Sequence, residues 1–150
     1  HTSSAVGALT RLVDMGVEPF LVASSLVASL AQRLVRVPCR TCREPYVPAG
    51  DLLARLGLTP DHLRSATPIR GTGCHECGGT GYNGRTAVYE IVSVDAAMRR
   101  VLTATPNETA VAEQARRNGV QDLHAHALSK AAAGETTYEE VLRVATARWS

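Results

Sequence analysis

The sequence predicts an α/β fold with an α-helical C-terminal lobe and a four-cysteine insertion. Three observations predict it. Apolar residues recur at helical spacing near both ends of the chain, and two β-branched runs lie between them. The stretch separating those runs carries two C-x2-C knuckles, Cys39 with Cys42 and Cys74 with Cys77, 31 residues apart.

Taken in order, residues 4 to 15 place Val6, Leu9, Leu12 and Val13 on one helical face, with Ser3 or Ser4 as N-cap and Gly16 as the stop. Pro19 suits the first turn of a second helix, whose Phe20, Leu21, Ala23, Leu26, Val27 and Leu30 make a broad apolar face that must pack against something large. Ala31 to Val37 reads as a strand entering the first knuckle. Between the knuckles, short helices are expected at 51–57 and 60–66, the latter capped by Thr59 with Pro60 at its first position. From Gly84, G-R-T-A-V-Y-E-I-V-S-V reads as a strand leaving the second knuckle.

The last third predicts four helices. One lies near 95–104. Thr105, Pro106 and Glu108 form a capping box for the next, which Gly119 ends; Asp122 caps a third, which Gly134 ends. Thr136 and Glu139 form a second capping box ahead of a stripe of Tyr138, Val141, Leu142 and Ala145.

The cysteines carry the most specific chemistry. Each knuckle holds two thiolates on one tight turn, so the pair of knuckles supplies a complete tetrahedral sulfur shell for zinc, with Cys39, Cys42, Cys74 and Cys77 as ligands. Gly78, Gly79 and Gly81 let backbone N–H groups turn toward the sulfur charge. Two disulfides or a redox pair are the competing readings. No signal peptide or long apolar span favours an oxidising compartment, and a redox site leaves the second knuckle unexplained. Four thiolates hold iron as well as zinc.

Composition excludes several classes. A 150-residue chain with 45% apolar residues can bury a sizeable core, as one domain or two small ones. The formal charge is +2, and zinc held by four thiolates would subtract about two units, which leaves no electrostatic case for nucleic acid. Lys130 is the single lysine and follows no glycine, so there is no Walker A loop. Nor is there a G-x-S-x-G elbow or an H-E-x-x-H pair. His124 and His126 point in different directions on a helix and are expected at the solvated surface.

The stretches H-T-S-S-A-V-G-A-L-T-R-L-V-D-M-G-V-E-P-F-L-V-A-S-S-L, A-Q-R-L-V-R, the two knuckles, G-Y-N-G-R-T-A-V-Y-E-I and G-E-T-T-Y-E-E-V-L-R-V together resemble the C-terminal part of the ATPases that power type II secretion and type IV pilus assembly. The resemblance covers nearly the whole chain. It implies that residues 1–37 are the distal part of a RecA-like P-loop ATPase core, 38–84 a zinc-binding subdomain, 85–94 a returning core strand and 95–150 a helical subdomain. It also implies a homo-hexamer at the cytoplasmic face of the bacterial inner membrane, contact with inner-membrane platform proteins, and ATP with Mg2+ bound elsewhere in the parent protein. His1 matches the family's histidine box near the nucleotide phosphates, and Arg11 and Arg33 are candidates for phosphate electrostatics or a subunit interface, or plain surface arginines. A free zinc-ribbon module is the alternative, since C-H-E-C-G-G-T-G also fits the repeat of DnaJ-like chaperones, although that pattern carries four such repeats.

Overall fold

A computed structural model describes residues 2–145, and within them local chemistry sets most element ends. Helix α1 (Ala5–Asp14) starts at Ser4, whose Oγ accepts the Gly7 N–H at 2.9 Å. Helix α2 (Pro19–Ser25) opens on its proline but is shorter than predicted: Leu26 is extended, and strand β1 (Ala28–Pro38) begins three residues ahead of the predicted strand. The reason is pairing. The Val27 carbonyl accepts the Val94 N–H at 2.8 Å, so a long-range ladder overrides the helical periodicity of this stretch. Of the expected apolar face, only Ala23 is buried, together with Val22; Phe20, Leu21, Val27 and Leu30 are exposed.

Beyond β1 come β2 (Arg43–Pro45), α3 (Gly50–Leu56), a 3-10 turn (Pro60–Leu63), β3 (Ile69–Gly71) and β4 (Tyr82–Ser93). The expected helix over 60–66 closes as this single turn, capped by Thr59 and His62. Strand β1 pairs with β4, and β2 pairs antiparallel with β3, with Glu44 opposite Arg70.

Four helices follow: α4 (Ala96–Ala104), α5 (Glu108–Arg117), α6 (Leu123–Ala132) and α7 (Tyr138–Val144). Two caps fall beside the predicted residues. Thr105 closes α4, its N–H bonded to Val101 O, so Asn107 caps α5 by accepting from Ala110 N–H. The buried Thr136 hydroxyl donates to Arg36 O at 2.8 Å, leaving Thr137 to cap α7 through Glu140 N–H.

The described chain condenses into two units, residues 2–32 with 89–123 and residues 33–88 with 124–145, and both β1 and β4 pass from one into the other. Helices α4 and α5 fall in the first unit, and α7 with all of α6 after Leu123 in the second. In the first unit α1, α2, α4 and α5 enclose Val6, Leu9, Val92, Met98, Leu102 and Val111. In the second, α3 packs on α7, and the α6 end carries the Ala132 carbonyl that accepts Thr67 N–H at 2.7 Å.

Glu90 shows how the first unit is pinned. Along β4 the inward positions are Val88, Glu90 and Val92, while the apolar Ile91 faces out. The carboxylate takes a core position because α1 begins there: Glu90 Oε1 accepts Ala5 N–H at 2.7 Å and Val6 N–H at 3.1 Å, and Oε2 accepts Leu123 N–H at 3.4 Å. Those first-turn donors have no partner within their own helix, and the helix dipole favours negative charge there.

Glu90→Ala is expected to lower stability in urea unfolding by about 2–4 kcal/mol, because buried N–H groups lose their acceptor. Ile91→Thr should cost less than about 0.5 kcal/mol.

Candidate metal centre

Both knuckles sit where strands end. Cys39 follows the last residue of β1 and Cys42 precedes β2; Cys74 and Cys77 occupy the turn from β3 to β4. Two bonds draw the turns together: Cys39 N–H donates to Gly81 O at 2.9 Å, and Thr72 N–H donates to Cys42 O at 3.1 Å. Gly71 and Gly81 lie so close that a Cβ on either would overlap the other's carbonyl, and Gly81 has φ 75° besides. Only glycine permits that crossing.

As a result, four sulfurs 35 residues apart in their closest long-range pairs meet at one point, all within 4.8 Å of one another. The Cys39–Cys74 and Cys42–Cys77 separations are both 3.9 Å, and Cys74–Cys77 is 3.7 Å. A zinc ion about 2.3 Å from each of four sulfurs would set tetrahedral edges of about 3.8 Å. All four cysteines are free thiols, so the disulfide reading falls. Backbone donors surround the cluster: Gly73 N–H reaches Cys42 Sγ at 3.3 Å, and Cys74 and Gly81 N–H reach Cys77 Sγ at 3.2 and 3.3 Å. This donor set fits a soft divalent metal, with N–H groups offsetting sulfur charge.

The thiols are unequal. The Cys74 N–H, working against burial and helped by Gly81 N–H, holds Cys77 down to about 6. Cys39 is lowered by the Thr41 and Cys42 N–H groups against burial. For Cys74 the Cys77 N–H favours the thiolate, but burial and the three neighbouring thiols outweigh it and push the group up to about 11. A set in which some thiols are already acidic releases its protons to a metal readily.

The other sequence candidates lie elsewhere. His1 is outside the described residues. Arg11 is exposed on α1 and Arg33 is exposed on β1; neither joins the cysteines. Lys130 pairs with Glu135 beyond the end of α6. His124 departs from expectation: it is 5% exposed, with Nδ1 2.8 Å from Ala145 O and Nε2 3.4 Å from Leu56 O. Backbone carbonyls from segments distant in sequence lie beside both ring nitrogens, the shorter contact being to Ala145 O, which helical spacing alone does not reveal.

Glu140, which the sequence reading passed over, anchors the same unit. Its side chain is 1% exposed and accepts from Arg36 N–H, from Arg36 Nε and Nη2, and from Arg143 Nε and Nη2. The Arg36 guanidinium lies 4.1 Å over the Tyr82 ring, and the Tyr82 hydroxyl meets Thr137 Oγ1 at 2.9 Å. Strand β1 just before the first knuckle and β4 just after the second are thus both tied to α7. The Glu140–Arg143 pair at i, i+3 was the available sequence signal.

Comparison with known proteins agrees with the sequence resemblance. The family described as Type II/IV secretion system protein matches residues 1–143. Type II secretion system protein E of Pseudomonas aeruginosa is 47% identical over 144 residues, covering 96% of this chain and 28% of that protein. Type IV pilus assembly ATPase PilB of Thermus thermophilus is 44% identical over 142 residues, covering 95% of this chain and 16% of that protein. Type II secretion system ATPase E of Vibrio cholerae is 41% identical over 144 residues, again 96% of this chain and 28% of that protein. The chain therefore spans little more than a quarter of these relatives at most.

Burial raises the Glu140 carboxyl, but hydrogen bonds from Arg143 and Arg36 more than offset it and hold the group down to about 2. A carboxyl lowered on folding contributes stability that is present above its unfolded value and lost as pH falls toward the folded one. Between about pH 5 and pH 2 the wild-type chain should lose on the order of 3 kcal/mol through this group. Glu140→Gln should be less stable at neutral pH and show a flatter dependence over that window in acid unfolding followed by circular dichroism.

Proposed function

The chain belongs to the Type II/IV secretion system protein family, and from that premise we propose that it is the C-terminal segment of a hexameric secretion motor. That motor couples ATP hydrolysis to pseudopilus or pilus assembly and to protein export across the outer membrane. The observation that carries the reading is the family match across residues 1–143, and two of the relatives bear ATPase in their names.

In this reading residues 1–37 and 85–94 complete a RecA-like core, and residues 38–84 form a zinc-binding subdomain. Residues 95–150 supply the helices, with α6 and α7 packing in the same unit as the cysteines. Two features support the core assignment. A two-stranded sheet is marginal alone, and β1 and β4 form only such a pair among the described residues. Phe20 at 67% and Val27 at 82% exposure leave apolar surface for further protein to cover. ATP and Mg2+ bind to the upstream part of the parent protein, where a phosphate cradle supplies what Lys130, tied to Glu135, does not. His1, outside the described residues, would supply the family's histidine box. The motor works at the cytoplasmic face of the inner membrane against platform proteins. Among the described residues no helix is long and apolar enough to cross a membrane.

The metal is zinc in a structural role. Four sulfur ligands close the coordination shell and leave no open position for a substrate. Protein purified without added metal should carry about one equivalent of zinc. Cys74→Ser should lose it, and hydrogen-exchange protection should fall in α3, α6 and α7 while α1, α4 and α5 keep theirs. A metal-free wild-type protein with four reactive thiols would overturn the assignment.

Assayed alone, this chain should hydrolyse no ATP, whereas a protein extended upstream through the Walker motifs should turn over. Equal turnover in both, after removal of contaminating ATPases, would place the catalytic site within these 150 residues and sink the motor-segment reading.

A further inference from the structure

The second unit carries a cavity of about 570 Å3 lined by Arg36, Thr80, Tyr82, Gly84, Arg85 and Arg143. No carboxylate lines it among the described residues, and three guanidiniums do. Two of them are fixed from below. Arg36 and Arg143 each spend Nε and Nη2 on Glu140, which leaves both Nη1 groups, with two N–H donors apiece, outside that ion pair. Arg36 is held further by its stack on Tyr82. Arg85 is exposed and has no ion-pair partner among the described residues.

The charge balance defines the ligand. Three arginines against the one buried glutamate leave an excess of two positive charges at the cavity. A single carboxylate would neutralise half of that excess, whereas a phosphate dianion would neutralise all of it. The Nη1 N–H groups of Arg36 and Arg143 can donate to phosphate oxygens, and guanidiniums already immobilised lose little entropy on binding. The volume exceeds that of a bare ion and falls in the range of small-molecule sites, so there is room for an organic body beside the phosphate. We propose that this cavity binds a phosphate monoester, with Arg36 and Arg143 as the fixed donors and Arg85 closing over the anion.

The shared chemistry has a soluble and a lipid source, and two probes separate them. Inorganic phosphate is titrated calorimetrically into the zinc-loaded 150-residue chain, and flotation is measured with phosphatidylcholine vesicles with and without phosphatidic acid. Binding of phosphate alone assigns a soluble ligand; binding to phosphatidic acid vesicles alone assigns a lipid headgroup. In either case Arg85→Glu should weaken binding about tenfold or more without changing the circular dichroism spectrum. Arg64→Glu, which reverses an exposed charge outside the cavity, should leave it within about twofold. Absence of binding to both probes overturns the proposal, and so does equal weakening by Arg64→Glu and Arg85→Glu.

Discussion

Convergence of four sulfurs is the constraint on which the second unit depends. Cys39 and Cys42 are separated from Cys74 and Cys77 by 31 residues, and two three-residue strands pair within that span. Four thiols within 4.8 Å, three of their pairs at 3.7–3.9 Å, would repel one another once ionised, so the arrangement suits a cation at its centre. The glycine crossing at Gly71 and Gly81 and the N–H donors aimed at sulfur make the approach sterically and electrostatically permissible. A metal bound there would close what the backbone has brought near.

In each unit a buried carboxylate acts as a fastener. Glu90 satisfies donors at the start of α1, while Glu140 gathers two arginines and a backbone N–H. A buried carboxylate is stable only when its lone pairs are used, and both are supplied with several donors. Their costs differ in kind. Glu90 accepts from backbone N–H groups, whereas Glu140 accepts mainly from two guanidiniums, which hold it down to about 2. The same arrangement leaves Arg36 and Arg143 with unspent donors facing a cavity.

The family assignment gives these features a setting. Relatives of 41–47% identity align across nearly all of this chain yet are several times longer, and α2 and β1 carry exposed apolar residues such as Phe20 and Val27. A sulfur cluster and a carboxylate anchored to arginines hold the second unit together without a large apolar core, since Leu52, Leu53 and Leu56 of α3 are its main buried aliphatics besides Val35, Val88 and Val141.

The sequence by itself determined the four-cysteine pattern and most helix ends, because both are local. A C-x2-C turn places its sulfurs regardless of the remainder, and Ser4 and the glycines after α1 and α5 act on neighbours a few residues away. The tertiary structure decided what depends on distant partners. Alternation along β4 makes Ile91 as good a core residue as its neighbours, yet Glu90 is inside because α1 starts 85 residues away in the chain. His124 is buried beside carbonyls at Leu56 and Ala145, and Thr137 caps α7 because Thr136 is already bonded to Arg36. Helix α2 ends early because Val27 pairs with Val94. Each of these outcomes turns on a hydrogen-bond partner remote in sequence, and burial makes leaving such a bond unmade more costly than breaking a local periodicity.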